Sequence, residues 1–283
     1  TPKYTVKFNW STKTTTGTGG GTGSNTASGS GVSYSMQTGQ YSFADYSVTL
    51  YGSSTSGTGT FESGSYIGSN SVNVIINSKV KIQTTISGNG TTVAKGNSNS
   101  FSLSNLADGT YTVSSSFSAA CATSSRSGVS KSYSFSFQFK VDTNAPTMNN
   151  VSTSSTGKYT NSSTYVSASD SMSGVDSIYM KAPGSSSYGN MGTSTTVSST
   201  GTNGLYYFYA KDKAGNTSRT YYLYLDTVKP TGTIKNSSGT ALTGSYTNQA
   251  FSYSATDSGS GISYLQYKKP GSSSWLTYTS GTS

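Results

Sequence analysis

The sequence predicts an all-β fold: several β-sandwiches in tandem, forming an elongated array whose last member is incomplete. Three observations predict it. Hydrophobic residues make up 31% of the chain and charged residues 10%, so 23 Tyr and 10 Phe must supply much of the buried area, each ring being able to bury ~150 to 250 Å². Ser, Thr, Gly and the aromatics are mediocre helix formers, the β-branched and aromatic ones favour strands, and no stretch has an apolar stripe of helical period. Finally, SASDSMSGVDSIYMKAPGSSSY from Ser167 returns as SATDSGSGISYLQYKKPGSSSW from Ser254, 87 residues later. That period exceeds the ~20 to 50 residues of solenoid repeats and fits repeated domains, and 283 residues exceed one domain of ~100 to 150 residues.

The elements follow in order. YTVKFNW (residues 4–10) alternates and reads as a strand, whereas the Gly/Ser/Thr-rich run near residues 11–31 cannot fill a core and reads as a long flexible loop. Strand signals return from Val32 with VSYSM, YSVTLYG, GTFES, VNVII and KVKIQTTIS. Asn89-Gly90 then predicts a tight hairpin into TTVAKG. LADGTYTV (residues 106–113) and SYSFSFQFKVD (residues 132–142) complete a first sandwich over residues 1–141. Short strands parted by Gly, Ser and Asn turns indicate a sandwich and not a parallel α/β sheet.

Two joints divide the rest. VDTNAPT (residues 141–147) recurs as LDTVKPT (residues 225–231), each following an alternating strand and each holding a Pro that cannot donate to a sheet ladder. They bound a repeat over residues 142–226 and a second over residues 227–283. Within them YTN at Tyr159 returns at Tyr246, and the three residues gained fall in the first hairpin, where loops accept insertions. Tyr111 precedes Val113 and Tyr206 precedes Phe208 by two residues, the spacing of a tyrosine corner with hydrophobic residues where a disulfide cysteine would sit.

DSGSGI with Trp275 further on, AKDKAGN (residues 210–216) and the closing D-T-x-x-P resemble the immunoglobulin-like repeats of bacterial secreted and cell-surface proteins. The resemblance covers residues 142–283 and implies immunoglobulin-like sandwiches serving as stalks, spacers or binding modules. Residues 1–141 share the Asp-Gly-x-Tyr corner but not the D-S-x-S-G signature.

The side-chain inventory argues against catalysis. The chain has no His and a single Glu, Glu62, which excludes Ser-His-Asp triads, Cys-His nucleophiles and metal-hydrolase sites in their usual forms. Most of the Asp residues stand at joints and turns, where such side chains cap backbone amides. The sharper reading of Asp142, Asp170, Asp212, Asn216, Asp226 and Asp257 is calcium at the joints, against which stands the ion's need for about six to eight oxygens. Tyr188 and Trp275 follow the two Pro-Gly-Ser-Ser-Ser turns and are candidates for stacking on glycan rings or for filling the sandwich. The net charge of +9 comes from 18 Lys and Arg scattered singly or in pairs, a pattern that lacks the dense face of a nucleic-acid binder. Cys121 is the only cysteine, so no intrachain disulfide forms. Nothing approaches the ~18 to 20 apolar residues of a membrane span, and no signal peptide is present, so the chain reads as a mature or excised piece.

These features point to a non-catalytic structural or adhesive segment of a bacterial extracellular or cell-surface protein. The alternative is a carbohydrate-binding accessory array of a secreted polysaccharide-degrading enzyme, with a virion decoration protein third. Expected partners are glycans, host or cell-surface proteins, further copies of the chain, or neighbouring domains; nucleic acid and membrane insertion are not expected. The second repeat runs on through YYFYAKD and TYYLYLD after Tyr188, while only eight residues follow Trp275. The third repeat is therefore expected to be truncated or completed by a strand from another chain.

Overall fold

The structure, a computed structural model, describes residues 4–18, 21–27, 30–36, 40–54, 57–59, 64–77, 82–98, 100–120, 130–244, 250–269 and 271–278. Cys121, Glu62 and Tyr246 lie outside them. The described residues form strands and contain no helix, so no helix is long and apolar enough to cross a membrane. Two compact units emerge: residues 1–145 with 170–174 and 212–216, and residues 146–169, 175–211 and 217–283.

In the first unit the strands are β1 (Tyr4–Thr18), β2 (Gly21–Ala27), β3 (Ser30–Met36), β4 (Gln40–Ser54), β5 (Gly57–Gly59), β6 (Ser65–Ile67), β7 (Val72–Asn77), β8 (Gln83–Gly88), β9 (Thr91–Asn97), β10 (Ser100–Leu103), β11 (Gly109–Ala120) and β12 (Ser130–Val141). One sheet has the order β10-β7-β1-β4-β5 and the other β2-β3-β12-β11-β8-β9, with β6 parallel to β12. Alternation places Val72 and Val74 of β7 opposite Ile86, Tyr111, Val113, Phe139 and Val141 in one buried cluster with Ile67 and Ile82. A polar pair sits beside it, buried Thr84 Oγ1 and Ser115 Oγ at 2.8 Å, each meeting the other's hydrogen-bonding need.

One expectation needs correction here. The Gly/Ser/Thr-rich loop near residues 11–31 is largely strand: β1 runs to Thr18 and pairs β4 as far as Thr18↔Gln40, and β2 pairs β3 from Gly21↔Met36 to Ala27↔Ser30. Ladder bonds are made by the backbone, and Thr is β-branched, so a run too small-sided to fill a core still suits a paired ribbon. The Asn89-Gly90 hairpin stands as read: both residues have positive φ, 50° and 77°, as a two-residue turn between β8 and β9 requires.

The second unit contains β13 (Thr147–Asn149), β14 (Lys158–Thr160), β15 (Thr164–Ser169), β16 (Val175–Lys181), β17 (Gly189–Asn190), β18 (Ser194–Val197), β19 (Gly204–Asp212), β20 (Tyr221–Leu225), β21 (Thr231–Asn236), β22 (Phe251–Thr256), β23 (Leu265–Tyr267) and β24 (Leu276–Tyr278). Sheet β13-β15-β18 faces sheet β14-β20-β19-β16-β17. Met148, Val166 and Val197 from the first interleave with Ile178, Tyr206, Phe208, Ala210, Tyr221, Leu223 and Leu225 from the second. Two sheets sharing one core make this an immunoglobulin-like sandwich. Both tyrosine corners form, Tyr111 Oη donating to Ala107 O at 2.9 Å and Tyr206 Oη to Thr202 O at 3.0 Å. Val113 and Phe208 are buried at the cysteine positions.

The outer face of the larger sheet carries tyrosines where polar residues would be ordinary. Tyr179 stacks on Tyr209 at 4.7 Å between centroids, Tyr188 meets Tyr209 edge-on at 4.9 Å, and Tyr207 meets its cross-strand partner Tyr222 at 5.5 Å. Lys181 Nζ lies 4.2 Å above the Tyr207 ring. Cross-strand aromatic pairs and cation–π contacts each contribute a few tenths to about 1 kcal/mol at such half-buried sites.

Two substitutions separate core from corner. Phe208→Ala is expected to cost about 3 to 5 kcal/mol by opening a cavity, and Tyr206→Phe about 1 kcal/mol by removing one hydrogen bond. Urea unfolding of the two variants measures both.

Candidate functional site

Asp142 ends β12 and is fully buried. Its own N–H donates to Ile67 O at 3.0 Å, which holds the residue at the sheet end. Its carboxylate takes two amides: Asn144 N–H reaches Oδ1 at 3.1 Å, and Ser173 N–H reaches Oδ2 at 3.0 Å. The second amide belongs to the D-S-M-S-G loop, which Asp170 shapes by accepting at Oδ1 from the N–H groups of Met172 (3.1 Å) and Gly174 (2.9 Å). Gly174 closes that loop at φ 77°, a conformation open to glycine. The signature is therefore a turn that presents one backbone N–H to the aspartate of the joint before it.

The AKDKAGN loop adds a second hold on the same aspartate. Asp212 accepts Asn216 N–H at Oδ1 and Asn216 Nδ2 at Oδ2, both at 2.8 Å, closing the loop on itself. Asn216 Nδ2 also donates to Asp142 O at 2.8 Å and Asn144 O at 3.0 Å. Asp108 supports the joint from the corner, accepting from Thr143 N–H and Oγ1 at 2.8 and 2.9 Å and from Asn144 Nδ2 at 2.5 Å.

The following joint repeats this scheme. Asp226 N–H donates to Thr160 O at 2.9 Å; Oδ1 accepts Val228 N–H at 3.0 Å and Oδ2 accepts Ser260 N–H at 2.6 Å. Asp257 Oδ1 accepts the N–H groups of Gly259 (3.0 Å) and Gly261 (2.9 Å), as Asp170 does for their counterparts. Asn203 replaces Asp108, its Oδ1 accepting Thr227 N–H at 3.0 Å and Oγ1 at 3.1 Å. Gly259 stands where Met172 stands in the other loop, and a Cβ there would collide with the Asp226 carboxylate.

The fold thus brings together Asp142, Asp170 and Asp212, each placing a carboxylate oxygen within 4.8 Å of the others. Asp226 and Asp257 belong to the separate, second joint. Asn216 turns its amide nitrogen toward this group, so it serves the cluster as a donor. Three carboxylates fall short of the six to eight oxygens a calcium ion takes, and each already accepts at least one backbone N–H. Burial raises the Asp212 carboxyl above its ordinary value, and the charges of Asp142 and Asp170 push the same way against the Asn216 hydrogen bonds. Asp226 is shifted down, chiefly by hydrogen bonds from Ser260.

Tyr188 is half-buried, held edge-on by Tyr209 with Lys181 Nζ 5.5 Å above its ring, whereas Trp275 is 63% exposed. Sequence reasoning placed Asp108 in a corner turn without seeing it as a ligand of the joint. The shared offset of 95 residues between Asp108 and Asn203, and between Tyr111 and Tyr206, was the available signal.

No family model matches the chain, and no curated protein matches it. Among solved structures it is similar to fibronectin(III)-like modules of CbhA from Clostridium thermocellum, with 14% identity, 58% of this chain and 90% of that chain covered, and a TM-score of 0.30. So loose a likeness carries no argument about this chain.

Three outcomes are expected. Asp142→Asn turns an amide donor toward a buried N–H and costs about 1 to 3 kcal/mol, measured by urea unfolding. Because Asp212 is raised, its favourable contribution is complete below 3.8 and is lost as pH climbs through the folded value; Asp212→Asn removes that part of the pH slope. Asp226 has the opposite sign: its contribution is complete above 3.8 and disappears as pH falls through the lowered folded value. Hydrogen exchange at the Ser260 amide against pH checks it.

Proposed function

We propose that this chain is a non-catalytic structural and adhesive segment, a stalk or binding module, of a bacterial extracellular or cell-surface protein. The observation that carries the reading is the repeated joint, in which a buried or nearly buried aspartate accepts one amide from its own D-T-x-x-P turn and one from the D-S-x-S-G loop of the repeat that follows. A joint with two such bonds resists bending in a way that a lone proline linker does not, which suits a spacer. The carboxylates that an enzyme would need free are used as caps for backbone amides.

The test is single-molecule energy transfer between dyes at Ser186→Cys and Ser273→Cys, equivalent loop positions of the two repeats, in a Cys121→Ser background. The native chain is expected to give one narrow distribution, and Asp226→Asn to broaden it. A broad native distribution that the substitution leaves unchanged overturns the spacer reading. The same reading takes the joints to work without calcium, so the ion and its chelation leave the melting temperature unchanged; a rise that grows with the logarithm of calcium concentration would instead assign Asp142, Asp170 and Asp212 to metal binding.

A second reading, a carbohydrate-binding accessory array of a secreted polysaccharide-degrading enzyme, is favoured by Trp275 and Tyr264, 63% and 66% exposed in the same repeat. Glycan-array binding that Trp275→Ala abolishes would support it.

A further inference from the structure

The two sheets of the first sandwich part along one flank, where β9 is the last strand of one sheet and β10 the last strand of the other. Between them lies a cleft of about 500 Å³, walled by these strands, by the Asn89 turn and by residues 104–107. That volume falls within the ~300 to 1,000 Å³ of small-molecule sites. Asn89 Nδ2 donates to Asp108 O at 3.2 Å and to Tyr111 Oη at 3.5 Å, which holds the turn against the corner.

One wall of the cleft is apolar and its rim is polar. Leu103, Leu106 and Tyr111 are buried in the core, whereas Ala94 and Phe101 pack against that core and stay half-buried. Gly96 lies beside Phe101, where a Cβ would stand 3.8 Å from ring atom Cε1, and supplies no side chain to cover the ring. Ser102, Ser104 and Asn105 are exposed lining residues, and their side chains have no hydrogen-bond partner among the described residues. No Lys, Arg, Asp or Glu lines the cleft, in a chain of net charge +9.

This lining selects its ligand by exclusion. A phosphate, sulfate or carboxylate would lose hydration with no cation to replace it, and an ammonium group or metal ion would find no carboxylate. A wholly apolar ligand would leave hydroxyl and amide groups dry and unpaired. A neutral sugar ring answers both walls, with hydroxyls at its edge and C–H groups on its face. We propose that the cleft binds a neutral sugar unit of a glycan, its C–H face against Phe101 and its hydroxyls on Ser102, Ser104 and Asn105. The site rests on the adhesive reading above and gives it a ligand class, at a place separate from Trp275.

The experiment titrates the whole 283-residue chain with the methyl glycosides of glucose, galactose, mannose and N-acetylglucosamine, followed by saturation-transfer NMR and calorimetry. At least one is expected to bind saturably and to slow hydrogen exchange at residues 102–107. Asn105→Gly removes the rim amide while keeping a backbone of φ 56°, and Gly96→Leu lays a side chain across the Phe101 ring. Each is expected to weaken binding at least about tenfold, the equivalent of 1.4 kcal/mol, with the urea midpoint reporting that the sandwich still folds; Trp275→Ala is expected to leave binding unchanged. Binding by none of the four glycosides overturns the proposal, as does binding that both cleft variants leave intact or that Trp275→Ala abolishes. Failure here leaves the dye-distance distribution narrow, whereas failure of the spacer reading broadens that distribution with sugar binding retained.

Discussion

A carboxylate buried at the end of a sheet must find donors, and the rest of this molecule is arranged around that need. Asp142 and Asp226 each leave the last strand of one sandwich, where burial would make an unpaired charge very costly. Each is answered by backbone N–H groups from two directions, its own turn and the loop beyond. The amide of Ser173 or Ser260 is available because Asp170 or Asp257 has folded the loop around it, and a glycine at positive φ lets that loop close. Acids thus act in series, one shaping the donor that another receives.

The sandwiches themselves answer a shortage of aliphatic side chains. Tyr111 and Tyr206 serve twice, with rings buried in the core and hydroxyls fixing the corner from which the next joint departs. On the outer face of the larger sheet, tyrosines lean on one another and on lysine ammonium groups. Ring faces already covered in this way make Tyr188 part of a ladder, in contrast to the open indole of Trp275.

Much of this was legible in the residues. Alternation marked most strands, Asn89-Gly90 marked a turn, and the Tyr two positions before a buried residue marked each corner, because these signals are local and their geometry is fixed by neighbouring backbone. The run at residues 11–31 was misread because side-chain volume was taken as the criterion for a strand, when pairing with β4 and β3 needs only backbone and tolerable propensity. The sequence set Asp142, Asp170, Asp212 and Asn216 at one joint as calcium candidates, but the pairing of each carboxylate with particular backbone amides could not be read from spacing. It depends on which loop meets which strand end across tens of residues, and on the asparagine amide at residue 216 being aimed as a donor.

The joint also defines what can be inherited as a piece. The D-S-x-S-G loop receives the predecessor, joined at Asp142 by Asn216, and the closing D-T-x-x-P holds the successor with Asp108 or Asn203 bracing it from the corner. A stretch copied from one such aspartate to the next carries a complete plug at one end and a complete socket at the other. Arrays of this kind can lengthen or shorten by whole copies without a new interface having to evolve, and their direction is set, since the plug does not fit a plug.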